Sequence, residues 1–384
     1  MRHSLWLTGH NHLSRSLRQL GIVFIFVACA ITVNAQTAFK GLENLFTQPE
    51  SYIIYHTDQP PVIDGNINEL TWQQTPWTNE FVDIEGAANP KPTYPTRMKM
   101  MWDDTCLYIA VQLTEPQVWA TLRRHDDVIF RDNDFEFFID PSGTTQPYFE
   151  VEVNAYNAVW DLLLNKAYRD GGAPISNWDL RALRSAVKIQ GTLNDPTDHD
   201  EGWTVEMAIP FKSVSLNSRG QIPHEGTTWR ANFSRVEWDT KVVDGNYVKL
   251  KDSTGKPLPE HNWVWSAQGL VNMHYPERWG YLRFTKQPVN SVTFNLPYAE
   301  RQKQYLWLIY YRQRQWLTEH HTYALTLHDL GIEEHIGIDK KDNILKLEAT
   351  QHQFMALITD SENKATWNIN HQGLVQQLNT RPHE

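Results

Sequence analysis

Acidic side chains alternate with apolar ones along two nearby segments, and their carboxylates are the first groups in the sequence that could do chemistry. In the segment 134–140, Glu136 lies between phenylalanines. In the segment 149–154, the polar residues Glu150, Glu152 and Asn154 alternate with a phenylalanine and two valines. Because successive side chains of a strand point to opposite faces, each segment predicts a strand with one apolar and one polar face. Pairing of the two strands would bring carboxylates from both onto one surface.

Two later segments carry the same alternation. In the segment 203–209, Glu206 alternates with tryptophan, valine, methionine and isoleucine. In the segment 229–234, Arg230 and Asn232 alternate with tryptophan, alanine and phenylalanine. The four segments together predict one shared polar face. Its predicted members are Glu136, Glu152, Asn154, Glu206, Arg230 and Asn232.

Three uses of such a face are open from the sequence. The first is a solvated surface, which is the ordinary outer side of a sandwich strand. The second is sugar recognition, because carboxylates, amides and guanidinium groups bind hydroxyls in pairs while aromatic rings stack on the apolar side of a pyranose. The chain has 16 Trp, 15 Tyr and 15 Phe residues, and this composition favours the second use.

Calcium binding is the third use, because Ca²⁺ takes about six to eight oxygen ligands. The aspartates that offer donors are Asp126, Asp127, Asp132, Asp134 and Asp140. Their spacing fits no EF-hand loop. The sequence therefore makes calcium, as a structural ion, a candidate cofactor and does not place its site.

Composition excludes some classes of function. The chain of 384 residues carries 35 basic and 45 acidic side chains, for a formal net charge of −10. Nucleic-acid binding needs clustered Lys and Arg, and no basic run here exceeds Arg123-Arg124. With 41% apolar residues, the chain can bury real hydrophobic cores. Sugars, cations or neutral ligands fit this balance better than nucleic acid.

The predicted polar face needs a sandwich of strands to position it. Residues 51–286 read as short alternating strands between Pro, Gly, Asn and Asp clusters, which is typical of a mainly β, antiparallel β-sandwich. Within it, residues 98–113 predict a hairpin that turns at Asp103-Asp104. Residues 36–50 are predicted to be a linker.

A small α+β extension is predicted over residues 287–384. Apolar and aromatic residues from about 298 to 320 recur at helical spacing, and a second short amphipathic stretch follows at 323–327. Strands then resume. The predicted strands of the extension are Leu345–Ala349, Gln353–Ile358 and Thr366–Asn370.

The first 35 residues have the pattern of a secretory signal peptide. Basic residues precede an apolar run of about a dozen residues at 21–33, and the small residue Ala35 follows. The run is too short to span a bilayer comfortably. An uncleaved anchor and lipidation at Cys29 are the alternatives. We therefore expect an exported protein, periplasmic, cell-surface or secreted, without a transmembrane segment after cleavage.

Cleavage of the signal would leave a single cysteine. The chain has two, Cys29 and Cys106, and only Cys106 lies in the mature segment. An intrachain disulfide is then impossible, so packing or bound ions must stabilise the fold.

The motifs of two catalytic chemistries are absent from the sequence, and two alternatives to simple sugar binding remain. The chain has no Gly-x-Ser-x-Gly nucleophile elbow and no His-Glu-x-x-His zinc helix. A glycoside hydrolase acting on O-glycosyl bonds through two carboxylates of the polar face remains an alternative. Haem binding is a second alternative, with Met273-His274 or Met98 as axial ligands, although no Cys-x-x-Cys-His motif occurs.

Six segments in register resemble the family 9 carbohydrate-binding modules and their larger secreted relatives. The resemblance extends from Tyr52 to about Phe284 and leaves the extension outside. The segments that carry it are 61–72, 101–111, 134–141, 202–210, 229–235 and 276–280. It implies a β-sandwich that binds sugars, often beside calcium, in secreted proteins that accompany glycoside hydrolases. It also implies binding rather than catalysis.

The resemblance also implies positions for the site. In xylanase-linked members the sugar lies between two Trp rings, and this chain has Phe130 and Met273 at those positions. Glu136 and Asn154 fall where the family's hydrogen-bonding residues lie, whereas Glu152 stands where those members have Arg. Trp160, Trp178 and His274 are candidates for a replacement ring surface.

We therefore predict extracytoplasmic carbohydrate or polysaccharide binding that supports polysaccharide breakdown, in association with glycoside hydrolases. We interpret the chain as a non-catalytic sugar-binding protein, with O-glycosyl hydrolysis as the main enzymatic alternative. The predicted substrate-binding residues are Phe130, Glu136, Asn154, Arg230 and Met273.

Overall fold

A computed structural model describes residues 38–215, 222–362 and 365–378. The signal peptide predicted at residues 1–35 lies outside the described residues. Within them, the chain forms a mainly β unit followed by a smaller α+β unit, which confirms the predicted fold class. No described helix combines the length and apolarity that crossing a membrane requires.

The first unit contains one short helix and a long series of strands. Helix α1 spans Leu70–Gln73. The strands are β1 Ser51–His56, β2 Val82–Asp83, β3 Thr96–Trp102, β4 Cys106–Thr114, β5 Asp134–Asp140, β6 Tyr148–Asn154, β7 Val159–Leu164, β8 Pro174–Ile175, β9 Arg184–Gln190, β10 Gly202–Pro210, β11 Thr228–Glu237, β12 Thr240–Val243, β13 Asn246–Lys249, β14 His261–Val264 and β15 Gly280–Thr285. The β3–β4 pair confirms the predicted hairpin.

The second unit contains one long helix and a meander of strands. Its elements are α2 Tyr298–His320, β16 His335–Ile338, β17 Lys341–Ala349, β18 Phe354–Asp360, β19 Thr366–Asn370 and β20 Val375–Leu378. The predicted helix and the three predicted strands of the extension are confirmed.

The second short amphipathic stretch, at 323–327, forms neither a helix nor a strand. Helix α2 ends where His321 adopts a left-handed conformation with φ 59°. The side chain of Gln313 then donates to the carbonyl of Ala324 and accepts from its N–H, both at 2.9 Å. Because this side chain satisfies both backbone groups of the buried Ala324, that residue needs no helical hydrogen bonds.

The main sheet curls back on itself to form the sandwich. Its hydrogen-bonded order is β8-β7-β6-β5-β11-β15-β1-β3-β4-β10-β9, with β14 pairing β11. We call β5–β8, β11, β14 and β15 the first layer, and β3, β4, β9 and β10 the second layer. Strand β1 joins the layers and is parallel to both β15 and β3, unlike the antiparallel pairs elsewhere in this sheet.

Apolar side chains from the two layers meet in one core. Phe135 and Phe137 of the first layer belong to the same fully buried cluster as Met100 and Val205 of the second. The period-two alternation placed Phe135, Phe137 and Val205 on the apolar faces of their strands. Their burial excludes water from between the layers and supplies the main driving force for closing the sheet.

A buried arginine ties the layers together at one end. Arg235 on β11 donates to Glu115 at 2.6 Å and to Glu237 at 2.8 Å. It also donates to the carbonyl of Thr114 at 2.8 Å and to Thr96 Oγ1 at 3.1 Å, both in the second layer. Arg235 is only 1% exposed. The guanidinium therefore neutralises two buried carboxylates and bridges the layers.

The second unit packs its helix on its own sheet. Leu306 and Ile309 of α2 share a buried cluster with Ile358 and Ile369 of strands β18 and β19. Leu42 joins this cluster from the N-terminal side. The segment predicted as a linker, 36–50, therefore contributes residues to the core of the second unit.

Buried polar contacts fasten the two units to each other. Arg169 beside β7 pairs with Glu277 at 2.9 Å, and Tyr311 of α2 donates to the same carboxylate. Val375 N–H donates to the carbonyl of Thr144 at 3.2 Å. The extension thus docks on the first layer through specific contacts.

We expect Arg235→Met to lower the free energy of unfolding by about 3–5 kcal/mol, because Glu115 and Glu237 would remain buried without a counter-charge. Denaturant unfolding followed by tryptophan fluorescence measures the change. The matched control is Arg301→Met, which removes an exposed ion pair with Asp339 and should change stability by less than about 1 kcal/mol. Equal effects of the two variants would contradict the bridging role.

Candidate functional site

The first layer turns a second set of side chains away from the sandwich core. Register places Glu136 of β5 opposite Glu152 of β6 and opposite Ser234 of β11. We call this side the outer face. Its members include Asp134, Glu136, Phe138, Tyr148, Glu150, Glu152, Asn154, Trp160, Leu162 and Ser234.

Three carboxylates of the outer face form a compact group. Asp134, Glu136 and Glu152 each place one carboxylate oxygen within 4.8 Å of those of the other two. We call these three residues the carboxylate cluster. Glu150 lies beside it, opposite Phe138. All four acids are buried, so the outer face is not an ordinary solvated surface at this point.

Burial and mutual repulsion favour the protonated forms of these acids. Burial raises the pKa of Glu136 to about 7. Burial, reinforced by the neighbouring acids, raises the pKa of Asp134 and of Glu152 well above the ordinary range. Burial also raises the pKa of Glu150 well above the ordinary range. The three carboxylates therefore repel one another whenever all of them are ionised and no cation is bound.

Partly exposed aromatic rings border the carboxylate cluster. Phe130 stacks on Trp160 with ring centroids 6.2 Å apart and planes inclined at 28°. The Phe130 N–H donates to Glu152 Oε2 at 2.8 Å, and its carbonyl accepts from Trp238 Nε1 at 2.9 Å. We call Phe130 and Trp160 the aromatic rim. Hydrogen bonds to the backbone of Phe130 hold the rim over the acids.

Beyond the cluster, the outer face is apolar. Phe138, Tyr148 and Trp279 belong to a buried cluster that includes Met273. Met273 is 7% exposed, and its Sδ accepts from Gln268 Nε2 at 3.1 Å. The Met273 side chain therefore packs within the buried apolar part of the outer face. It offers no exposed surface on which a sugar ring could stack.

His274 follows Met273 and is held by aromatic neighbours. Its Nδ1 lies 2.9 Å from the hydroxyl of Tyr148, and Tyr168 meets its ring edge-on at 4.4 Å between centroids. Burial lowers the pKa of His274 to about 4. The imidazole is therefore neutral in the folded protein at physiological pH.

The structure brings Phe130 and Glu136 together, whereas Asn154 has a different role in it. Asn154 is fully buried, and its Nδ2 donates to the carbonyl of Leu122 at 2.8 Å and to Asp132 at 3.0 Å. Its Oδ1 accepts from backbone N–H groups of the following turn. Because these bonds use its donors and acceptor, Asn154 fastens loops around the face.

Arg230 lies at the other end of strand β11. It sits four residues from Ser234, which is roughly 13 Å along an extended strand. Its guanidinium donates to the carbonyls of Trp279 at 2.6 Å and Glu277 at 2.9 Å, and it pairs with Glu300 of α2 at 3.6 Å. The structure therefore places Arg230 in the joint with the second unit and does not bring it to Glu136.

Glu206 and Asn232 also differ from the predicted polar face. Glu206 lies on β10 of the second layer, where it accepts from Trp72 Nε1 at 2.6 Å and from Gly65 N–H at 2.7 Å. Asn232 bonds the backbone of Ser266 with both its donor and its acceptor. The prediction of one shared polar face was therefore wrong for Glu206, because alternation does not specify the layer in which a strand pairs.

The five aspartates considered as calcium donors are distributed over separate positions. Asp132 and Asp140 accept hydrogen bonds from nearby backbone N–H groups. Asp127 pairs with Arg124 at 3.0 Å. Asp126 belongs to a second, more exposed group with His125 and Asp161, and Asp134 alone joins the carboxylate cluster. The proposed haem ligands are also apart, since Met98 lies in the sandwich core and Met273 on the outer face.

Sequence reasoning missed two residues around the cluster. Trp238 and Lys249 reach the face from beyond β11 and from β13, and the ammonium of Lys249 lies 3.2 Å from the centroid of the Trp238 ring. Burial lowers the pKa of Lys249 to about 8. No spacing rule connects these two residues to strands β5 and β6.

The second layer has a separate cleft on its own outer side. Its volume is about 410 Å³, and its lining includes Trp77, Arg97, Lys99 and Gln112. Both cations contact the Trp77 ring, at 4.1 and 4.2 Å from its centroid. We call this the second-layer cleft. None of the five predicted substrate-binding residues lines it.

Comparison with known proteins gives one family. The family described as carbohydrate family 9 binding domain-like matches residues 63–285. This range covers the sandwich except strand β1 and stops at the last residue of β15.

Two curated relatives match part of the sandwich. Exoglucanase XynX of Acetivibrio thermocellus is 26% identical over 156 residues, which cover 41% of this chain and 12% of that protein. Endo-1,4-beta-xylanase A of Thermoanaerobacterium saccharolyticum is 25% identical over 155 residues, covering 40% of this chain and 11% of that protein. The match thus spans about a tenth of each relative's length.

Solved structures include similar chains. A family 9 carbohydrate-binding module from Caldicellulosiruptor kristjanssonii in complex with cellotriose has a TM-score of 0.38 and 16% identity, covering 65% of this chain and all of that one. Its complex with glucose gives the same TM-score and identity and covers 64% of this chain and all of that one.

The neutral state of His274 predicts a pH dependence of stability. The unfolded protein binds a proton at this histidine below pH about 6.5, whereas the folded protein does so only near pH 4. The neutral His274 therefore contributes on the order of 2–3 kcal/mol to the free energy of unfolding above pH 6.5. This contribution is lost as the pH falls toward 4.

Denaturant unfolding at several pH values, for wild type and His274→Gln, isolates this contribution from the carboxylates. The difference in unfolding free energy between the two proteins should shrink as the pH falls from 6.5 to 4. His335→Gln, at a mostly exposed histidine, is the control and should run parallel to wild type. Parallel profiles for His274→Gln would show that His274 ionises normally in the fold.

Proposed function

Because this chain belongs to the carbohydrate family 9 binding domain-like family, we propose that it binds a carbohydrate at the outer face of the first layer. The observation that carries the proposal is the aromatic rim of Phe130 and Trp160, partly exposed and adjacent to buried carboxylates. Sugars offer hydroxyls and apolar ring faces together, and this pair of features matches both.

The aromatic rim supplies the larger part of the binding energy in this proposal. A hydroxyl contact replaces one made with water and nets only about 0.5–1.5 kcal/mol. Stacking on a ring that is already fixed avoids most of the ordering cost of binding. Phe130 meets this condition because Glu152 and Trp238 hold its backbone. Glu136, next to the rim, accepts from sugar hydroxyls.

The carboxylates support binding in preference to hydrolysis. A glycosidase needs one carboxyl kept protonated and a second kept ionised, about 5–9.5 Å apart. In the carboxylate cluster burial raises the pKa of each acid, and none of the three has a cationic partner among the described residues to keep it ionised as a nucleophile. We therefore propose a non-catalytic binding protein.

Export and a role in polysaccharide breakdown complete the proposal. The signal-like residues 1–35 support export to the periplasm, cell surface or medium. The named activities of the two relatives, an exoglucanase and an endo-1,4-beta-xylanase, support action beside glycoside hydrolases. They also make β-1,4-glucan and xylan oligosaccharides the first ligands to test.

Calorimetric titration of the full mature chain with these oligosaccharides, supported by a glycan array, tests the site. We expect Phe130→Ala and Trp160→Ala each to weaken binding by at least about tenfold, equivalent to about 1.4 kcal/mol, because each removes a stacking ring. Trp77→Ala, which removes a ring from the second-layer cleft, is the matched control and should leave affinity unchanged.

Loss of binding in Trp77→Ala, with retention in both rim variants, would move the site to the second-layer cleft. Thermal unfolding of each variant shows whether lost binding reflects a lost fold. Incubation of the same oligosaccharides with wild type, followed by assay for new reducing ends, tests catalysis. If new reducing ends form with wild type but not with Glu136→Gln, the protein is a hydrolase and the proposal of a non-catalytic binding protein is wrong.

A further inference from the structure

The second-layer cleft contains two positive charges without an acidic partner. Arg97 and Lys99 of strand β3 both contact the ring of Trp77, at 4.1 and 4.2 Å from its centroid. Within the described residues, neither cation has a carboxylate oxygen within 4.0 Å. The chain as a whole is acidic, with a formal net charge of −10. The pair of cations is therefore a positive site on an acidic protein.

Lys99 is the more buried of the two cations. It is only 5% exposed, and among described residues its ammonium makes one hydrogen bond, to the carbonyl of Trp72 at 2.6 Å. An ammonium has three N–H donors. Burial, followed by the charge of Arg97, lowers the pKa of Lys99. A buried ammonium with one acceptor and a like charge beside it is unfavourable unless an anion joins it.

Arg97 and Gln112 present further donors to the same cleft, which both residues line. The register pairs them across strands β3 and β4. Arg97 donates from Nε and Nη2 to Gln112 Oε1, at 3.1 and 3.0 Å. Arg97 Nη1 and Gln112 Nε2 donate to no group in the part of the chain that the structure describes. The bonds between the two side chains thus fix both of these free donors in place.

One wall of the cleft is built before any ligand binds. Glu206 accepts from Gly65 N–H at 2.7 Å and from Trp72 Nε1 at 2.6 Å, which fastens the segment 64–72 onto strand β10. Gly65 has φ 82°, and a Cβ there would lie 2.8 Å from the backbone nitrogen of Lys188. Only glycine lets this segment approach so closely. A preformed cleft of about 410 Å³ avoids much of the ordering cost of binding.

Neutral hydrogen-bonding groups supply much of the remaining lining. They are the side chains of Asn66, Asn68, Gln73, Gln190 and Thr204. The one acid in the lining is Glu201, which is exposed. Amide and hydroxyl side chains bind the hydroxyls of a ligand, whereas adjacent cationic donors bind a carboxylate. The lining therefore suits a ligand that carries hydroxyls and a carboxylate together.

We propose that the second-layer cleft binds an acidic saccharide, with the carboxylate of a uronic acid residue at Arg97 and Lys99 and its hydroxyls at the neutral side chains. Guanidinium and ammonium groups form charge-assisted hydrogen bonds with carboxylates, and these are the strong ones. The outer face of the first layer has the opposite character, because buried acids form the carboxylate cluster there. The two sides of the sandwich thus bind sugars of different charge.

This site goes beyond the carbohydrate site proposed at the aromatic rim and does not depend on it. Phe130 and Trp160 belong to the first layer and do not line the cleft. Neutral oligosaccharides have no carboxylate for Arg97 and Lys99, so Trp77→Ala remains a control for the rim. Failure of acidic-sugar binding and failure of neutral-sugar binding are therefore distinguishable, because each is measured with its own ligand.

Calorimetric titration of the full mature chain with the trisaccharide of galacturonic acid tests the site. The matched ligand is its methyl ester, which keeps the hydroxyls and removes the charge. We expect one site per chain for the acid and at least about tenfold weaker binding of the ester and of acetate. A rise in NaCl concentration should weaken binding of the acid, because salt screens charges at a site open to solvent.

Substitution of either cation should weaken binding of the acidic trisaccharide. Arg97→Gln and Lys99→Met each remove one charge from the cleft, and each should lower the affinity by at least about tenfold. Arg184→Gln is the matched control and should bind as wild type, because Arg184 lies on β9 of the same layer but outside the cleft lining. Thermal unfolding of each variant shows whether lost binding reflects a lost fold. If the buried Lys99→Met does not fold, Arg97→Gln, at a partly exposed residue, decides.

Four outcomes would overturn the proposal. The first is a wild type that does not bind the acidic trisaccharide. The second is equal affinity for the acid and its methyl ester, which would show that the carboxylate is not recognised. The third is acetate bound as tightly as the trisaccharide, which would make the cleft a site for any small anion. The fourth is binding that persists in Arg97→Gln but is lost in Phe130→Ala, which would place the acidic sugar at the aromatic rim.

Discussion

The unfavourable burial of carboxylates on one sheet face is the physical constraint around which the first layer is organised. An acid removed from water must obtain hydrogen bonds, a cationic partner, or protons. The fold uses the first solution at Asp140, with four hydrogen bonds from the following turn, and the second at Glu115 and Glu237, with Arg235. The carboxylate cluster has no cationic partner among the described residues, and Asp134 and Glu152 each accept a single backbone hydrogen bond. It lies beside the aromatic rim, which makes this place the candidate for a carbohydrate ligand.

The curled sheet explains why these acids are buried at all. Apolar side chains on the inner sides of both layers close the sandwich, and the strands that supply them must turn their alternate residues outward. On the outer face those residues meet a second apolar cluster around Phe138 and Trp279 and the covering side chains of Phe130 and Trp238. The outer side of the first layer is thus a second packed surface, which is unusual for the strands of a sandwich. A site that is shielded from water requires such packing.

The C-terminal unit limits how far that surface extends. Arg230 and Glu277, at the end of the face away from the cluster, are engaged by Glu300, Arg169 and Tyr311 in the joint with helix α2. A face that would otherwise run the length of β11 is divided into a docking half and a half that carries the aromatic rim. The extension therefore helps to define the candidate site from outside the family-matched range 63–285.

The sequence by itself determined the local structure and the chemistry that is present. Period-two alternation indicated which residues of β5, β6, β10 and β11 face away from the core, helical spacing indicated α2, and six short segments indicated the family. Tertiary structure alone decided where those residues meet. Glu206 faces outward as alternation requires, yet β10 pairs in the second layer; Arg230 faces outward, yet α2 covers it; and the segment 323–327 is not helical because Gln313 satisfies Ala324. The physical reason is that alternation is a property of one strand, whereas layer, neighbour and cover depend on contacts between residues distant along the chain, whose energies no local spacing encodes.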